Sequence, residues 1–222
     1  MSKPRTLSNP GTESNTDQVG NVFVIAAPSG GGKTTLTRAL IDQDDCLRLS
    51  VSHTTRPARP GESHGVHYFF VNESEFESLI EQQAFLEYAL VFDDYKGTTR
   101  AAVEQQIANG YHVLLDIDWQ GARQVRLAIP GSHSIFILPP SLEVLKERLA
   151  GRGQDSEKEI AKRMSKARSE ISHWDEFDFV VINDDFQETL KNLQSIIKKG
   201  KPVNPVSREK LETLLAELLE DR

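Results

Sequence analysis

Cysteine is almost missing from this 222-residue chain, which has only Cys46. A single thiol excludes an internal disulfide framework and a cysteine-built zinc site, and it fits a reducing compartment such as the cytoplasm. Long apolar runs are missing too. Nothing approaches the ~18 residues of a membrane span, so a soluble protein without membrane contact is expected. Basic charge is in deficit: 26 Lys+Arg stand against 33 Asp+Glu, for a net charge of −7. That balance argues against a nucleic-acid binder, whose footprint is basic. The first 20 residues, MSKPRTLSNPGTESNTDQVG, hold only Leu7 and Val19 as apolar side chains beyond the initiator. They lack the apolar core of a signal peptide, and Glu13 and Asp17 fit a transit peptide poorly, so 1–20 reads as a disordered tail. No internal repeat or low-complexity tract follows. With 38% hydrophobic and 27% charged residues the remainder is neither collagen-like nor wholly disordered.

What is present is a rhythm. Val22-Phe23-Val24-Ile25-Ala26 is an apolar, partly β-branched run suited to a strand buried on both faces. Similar runs recur at Tyr111–Leu115, Ser134–Leu138 and Phe179–Ile182, each separated from the next by enough chain for a helix. That alternation predicts an α/β fold, a parallel sheet covered by helices. Two segments break it. Residues 53–94 carry short alternating stretches around a helix at Glu73–Gln82 and read as an inserted mixed α+β lobe. Residues 148–174 carry Gly151-Arg152-Gly153 and a charged helix, and read as a helical lid. The core is then 21–52, 95–147 and 175–200. After a break at Lys201–Pro205, residues 201–222 end in an amphipathic helix with Ser207 as N-cap. Its Leu211, Leu214, Leu215, Leu218 and Leu219 must dock, either on their own core or on a second subunit of a homo-oligomer.

The chemistry begins at Ala27-Pro28-Ser29-Gly30-Gly31-Gly32-Lys33-Thr34-Thr35, which fits A-x-x-x-x-G-K-T, one residue from the strict P-loop pattern, between a strand and a helix. Glycines let backbone N–H groups turn toward a phosphate that the helix N-terminus also favours. Lys33 is suited to the β/γ-phosphates and the Thr34 hydroxyl to Mg²⁺. Asp116 and Asp118 end a core strand, where P-loop enzymes hold the metal, and lie two apart on one face. Asp118 also fits a simple N-cap of the helix starting at Trp119. From Arg148 to Arg168 seven bases face three acids, a window of +4 in a chain that is otherwise −11. Lys158, Lys162 and Lys166 read as a solvated face, whereas Arg148 and Arg152 flank a glycine turn, as lid arginines would. In the inserted lobe, Arg56, Arg59 and the Tyr68 hydroxyl form a candidate phosphate clamp. Glu87 sits in the otherwise apolar FLEYALVF. Guanine presents N1–H and a 2-amino group that one carboxylate can accept together, but an outward-facing strand carboxylate fits the sequence equally well. His53, His64, His67 and His112 lack metal-ligand spacing.

These segments resemble the guanylate kinases. The glycine-rich loop, SVSHTTRPARPGE, GVHYFF, FLEYA, LDIDWQGA, SIFILPPS, LAGRGQDSE, IAKRM and VINDD stand here in that family's order, over about 20–200. The resemblance implies a P-loop kinase core, a GMP-binding lobe, a lid, and the reaction ATP + GMP → ADP + GDP with Mg²⁺. It assigns GMP phosphate to Arg56, Arg59 and Tyr68, and guanine to Ser52, Glu87, Thr98 and Asp118. Residues 27–35 fall to ATP, with Thr34 and Asp116 at the metal. Lys33, Arg148, Arg152 and Arg163 surround the transferring phosphoryl group, and Asn183 lies near the nucleotides. Two positions depart from the pattern: Ala27, where many P-loops have glycine, and Lys96, where the family usually shows a tyrosine. The alternatives are a P-loop kinase of another small phosphorylated acceptor and a catalytically silent module that binds phosphopeptides. Intact Lys33, Thr34, Asp116 and lid arginines oppose the second.

Overall fold

The computed structural model describes residues 20–91, 93–150 and 157–220, without the side chains of 157–159. Arg152, the side chain of Lys158 and residues 1–19 of the expected tail lie outside the described residues.

The sheet that organises the molecule has five parallel strands in the order β2-β7-β1-β8-β9. These are β1 (Val22–Ala26), β2 (Leu47–Leu49), β7 (His112–Asp116), β8 (His133–Leu138) and β9 (Phe179–Ile182). Alternation along the strands feeds two cores. Val22, Val24 and Ala26 of β1, Val113 and Leu115 of β7, and Phe136 and Leu138 of β8 point to one face. Phe23, Ile25, Leu114, Ile135 and Ile137 point to the other. The second face is covered by α1 (Lys33–Asp42), through Leu36 and Leu40, and by α7 (Phe186–Lys199), through Leu190, Leu193, Ile196 and Ile197. The first is covered by α3 (Arg100–Ala108), α4 (Trp119–Ala128), α5 (Leu142–Ala150), α6 (Glu157–Ile171) and α8 (Arg208–Leu219). Burial on both faces explains why the strands read as unbroken apolar runs.

The C-terminal stripe docks on its own core: Leu214, Leu215 and Leu218 are buried, with Leu211 and Leu219 packed beside them. Ser207 caps α8 by accepting the Lys210 N–H. Strand β2 has no counterpart among the expected strands; Leu-Arg-Leu is an edge strand too short to display a period.

A second sheet, in the order β4-β3-β6-β5, rises from one side of the core. It comprises β3 (His53–Thr54), β4 (Phe69–Phe70), β5 (Phe85–Val91) and β6 (Asp94–Thr99), with α2 (Glu73–Glu81) packed on it. Asn72 and Glu75 close a reciprocal capping box at the start of α2, which fixes that helix end locally. Phe76, fully buried, stacks on Phe85 and Tyr95. Strand β5 also lies against α4, so the second sheet is seated on the core. Among the described residues, no helix is long and apolar enough to cross a membrane.

Candidate functional site

In an open parallel sheet, ligands gather where the strand order reverses, beyond the carboxyl ends of the strands. Here β1 has β7 on one side and β8 on the other, and the loops after β1, β7 and β9 converge there. Together with the second sheet they enclose a cavity of about 530 Å³.

Its floor is the glycine-rich loop 27–32 and the first turn of α1. Gly30 and Gly32 have φ of 86° and 88°, the left-handed region that glycine enters without cost. Gly31 N–H donates to Pro28 O at 2.8 Å, and Asn183 Nδ2 donates to Gly31 O at 2.9 Å. Gly32, the N-cap of α1, has no side chain to satisfy the helix's first N–H groups, so they stay open to an anion. Ala27 stands outside the left-handed region, so its methyl costs the loop nothing in backbone strain.

Lys33 Nζ lies 2.5 Å from Asp116 Oδ1 and donates to Ile117 O at 3.1 Å. Burial by itself would lower the lysine's pKa, but the charge and hydrogen bond of Asp116 outweigh it and hold the ammonium above its usual range. Thr34 and Asp116 line the same cavity. Asp118 caps α4 through Oδ1, which accepts Gly121 N–H at 3.0 Å, and it also faces the cavity. The N-cap reading is thus met, and capping does not remove the side chain from the cavity.

Glu87 is 3% exposed and lines the cavity, which overturns the reading of an outward-facing strand carboxylate. Its Oε1 has no hydrogen-bond partner among the described residues. Burial pushes its carboxyl up to about 7, opposed by a hydrogen bond from Thr98. Thr98 is fully buried behind the wall and shares a hydrogen bond of 3.0 Å with Ser52, which does reach the cavity.

The pleat of β6 separates Tyr95 from Lys96. Tyr95 stacks on Phe76 at 5.2 Å inside the second sheet's own core, while Lys96 faces the cavity. Burial and the Lys33 charge lower the pKa of Lys96. Tyr68 lines the same wall. Arg56 stands behind Tyr68, 5.6 Å from its ring centroid, with Nη2 donating to both Glu62 oxygens at 2.8 and 2.9 Å. Arg59 is exposed and does not line the cavity.

Arg148, in the last turn of α5, borders the cavity; Nη2 donates to Asn183 O at 3.3 Å, and Nη1 is buried without a hydrogen-bond partner among the described residues. Arg163 on α6 does not line the cavity, and its Nη1 donates to Leu149 O at 2.8 Å. Glu170, Asp184 and Phe186 line it as well. Asp184 belongs to the VINDD segment already quoted, but no sequence signal marked the other two: Glu170 sits in a helix of interleaved charges that reads as solvated, and Phe186 follows a helix cap.

The guanylate kinase family model matches residues 19–200. The guanylate kinase of Haemophilus influenzae (strain 86-028NP) is 55% identical over 203 residues, covering 90% of this chain and 98% of that protein. That of Escherichia coli (strain K12) is 50% identical over 204 residues, covering 91% and 99%. The crystal structure of guanylate kinase from Anaplasma phagocytophilum superposes with a TM-score of 0.70 at 33% identity, over 89% of this chain and 96% of that one. A parallel sheet whose switch point carries a glycine-rich loop, an Asp–Lys pair and a buried acceptor carboxylate agrees with these likenesses, and the chain belongs to the guanylate kinase family.

Proposed function

We propose that the chain transfers the γ-phosphate of ATP to GMP, with ATP seated on residues 27–35 as a P-loop and GMP under the second sheet. The observation that carries this reading is Glu87: a buried carboxylate with a free oxygen, in the same cavity as the anion-seeking loop. A carboxylate that is a pure acceptor matches guanine's two adjacent donors and cannot be satisfied by adenine's acceptor N1. Ser52, Thr98 and Asp118 complete the base pocket, with Thr98 acting from behind Ser52.

At the donor end, open N–H groups at the start of α1 hold the phosphates, and Lys33 follows the β/γ-oxygens. Phosphoryl transfer needs little covalent help, so positioned charge does most of the work. Arg148, whose buried Nη1 has no partner among the described residues, is the described residue best placed to meet charge on the moving phosphoryl group. Arg152 and Arg163 would join it when the lid, 148–174, closes over the core. Tyr68 and Lys96 receive the GMP phosphate, with Arg56 and Arg59 behind them; Lys96 has no ion pair among the described residues.

The residues present fit Mg²⁺. Thr34 and Asp116 supply hard oxygen donors in the cavity, and among the described residues no cluster of three or more His, Cys, Asp or Glu exists to cage a metal. Mg²⁺ binds in such sites through one or two protein groups plus phosphates and water. When bound it supplies charge neutralisation on the phosphates. The exposed free thiol of Cys46 supports a reducing, cytoplasmic setting. The test is an ADP-release assay across GMP, dGMP, AMP, UMP and CMP. A strong guanine preference is expected, and comparable rates with all five acceptors would refute the reading.

A further inference from the structure

Helix α6 reaches back to the glycine-rich loop through one side chain that the scheme above does not use. Glu170, one residue from the end of α6, accepts the Ser29 N–H through Oε2 at 2.8 Å, across 141 residues of sequence. The carboxylate also lines the nucleotide cavity. Burial pushes its carboxyl above the usual range, while the Ser29 N–H and the Lys33 charge pull the other way. A negative group beside a phosphate site repels its ligand, so its place there needs a compensating role.

The loop is gripped at two points. Asn183, following β9, holds Gly31 O from one side, and Glu170 holds Ser29 N–H from the other. Ser29 precedes the left-handed Gly30, so fixing its N–H fixes the entry to the turn. Ser29 also lies upstream of the donors at the start of α1, which the grip leaves free for an anion. Two turns back along α6, Arg163 sits seven residues away on the same face.

We propose that Glu170 is a positioning residue for the phosphoryl donor: by holding Ser29 N–H it sets the curvature of the glycine-rich loop and keeps the inner end of α6 in register with it. The helix that carries Arg163 is thereby indexed to the loop that seats the donor phosphates. This rests on the assignment of ATP to that loop.

The test compares Glu170→Gln, which keeps reach and an acceptor oxygen but loses charge, with Glu170→Asp, which keeps charge but is one methylene too short, and with Glu170→Ala. ATP affinity is measured by titration without acceptor, then KM for each nucleotide, kcat and Tm. A tether predicts that Asp and Ala weaken ATP binding by about tenfold to a hundredfold, the worth of one charge-assisted hydrogen bond. Gln should recover most of it, and GMP affinity should stay level throughout. Wild-type behaviour of Asp with a damaged Gln variant would overturn the tether in favour of a pure charge effect. ATP binding unchanged in all three, or lost together with GMP binding and Tm, would also overturn it. If the Ala variant fails to fold, the Gln–Asp comparison decides by itself. A wild type that binds ATP but ignores GMP refutes only the acceptor assignment, while a wild type that does not bind ATP removes the tether's premise.

Discussion

Replacing Glu87 by Gln separates two consequences of one buried charge. In the folded protein burial pushes the carboxyl up from 4.5 to about 7, so the fold binds this proton more tightly than the unfolded chain does. The stability this contributes is complete below pH 4.5 and is lost as pH rises through 7. The displacement corresponds to about 3 kcal/mol at pH 8, as an upper bound. Gln resembles the protonated form at every pH, so Glu87→Gln should be more stable than wild type at pH 8 and close to it at pH 5. Catalysis should move the other way. The amide keeps one acceptor but turns a donor toward a guanine donor. Each desolvated group left unmet costs about 1–3 kcal/mol, and the loss of charge on the surviving bond adds a similar amount. The expected fall in kcat/KM for GMP is therefore roughly 10²–10⁶-fold, with ATP affinity unchanged. In the wild type, GMP affinity should decline by about tenfold from pH 8 to pH 6 as Glu87 takes up its proton, and this share of the pH profile should vanish in the variant. The assay is kcat/KM for GMP and AMP at both pH values, with Tm by calorimetry. A GMP-over-AMP preference that survives the substitution would refute the role of Glu87 in base reading. A variant no more stable than wild type at pH 8 would refute the burial argument.

Lys33→Ala should lower kcat roughly 10²–10³-fold by removing one pre-positioned charge, with circular dichroism unchanged; an unaltered kcat would detach the loop from ATP. Gly32→Ala should weaken ATP binding by roughly tenfold or more in titration, because a Cβ there meets Asn183 Nδ2 and the left-handed φ of 88° costs about 1–2 kcal/mol more. Leu218→Ala, in a fully buried position on α8, should cost about 2–5 kcal/mol and lower Tm by several degrees while leaving KM for both nucleotides in place. A Tm within a degree of wild type would show that α8 does not close the core.

The parts legible in the sequence are those dictated by local periodicity. β1, β7, β8 and β9 read as apolar runs because both of their faces are covered, and Ser207 declares the start of α8 by its chemistry. β2 escapes because three residues of an edge strand carry no period. The candidate site is legible wherever a motif compresses it into adjacent residues, as at 27–34. It is not legible where the deciding neighbour is distant. FLEYALVF cannot disclose that α4, some thirty residues later, will bury Glu87. Nor can Asp94-Tyr95-Lys96 tell which of the last two meets the cavity; the pleat of β6, pinned by the stacking of Tyr95 on Phe76, makes that choice. Glu170 shows the limit most clearly, since its partner is a backbone N–H that no side-chain pattern can announce.

Gly121 lies in the first turn of α4, against β5, and any side chain there would strike the Glu87 carboxylate. The gap that admits the carboxylate is therefore the thickness of a bare helix backbone. It is at once the joint between the second sheet and the core and the wall of the proposed base pocket. If Glu87 reads the base as proposed, base preference is not a detachable module. On that assignment, a bulkier residue at 87 would press on α4 at Gly121 as well as on the cavity, so retuning the acceptor would also disturb the joint.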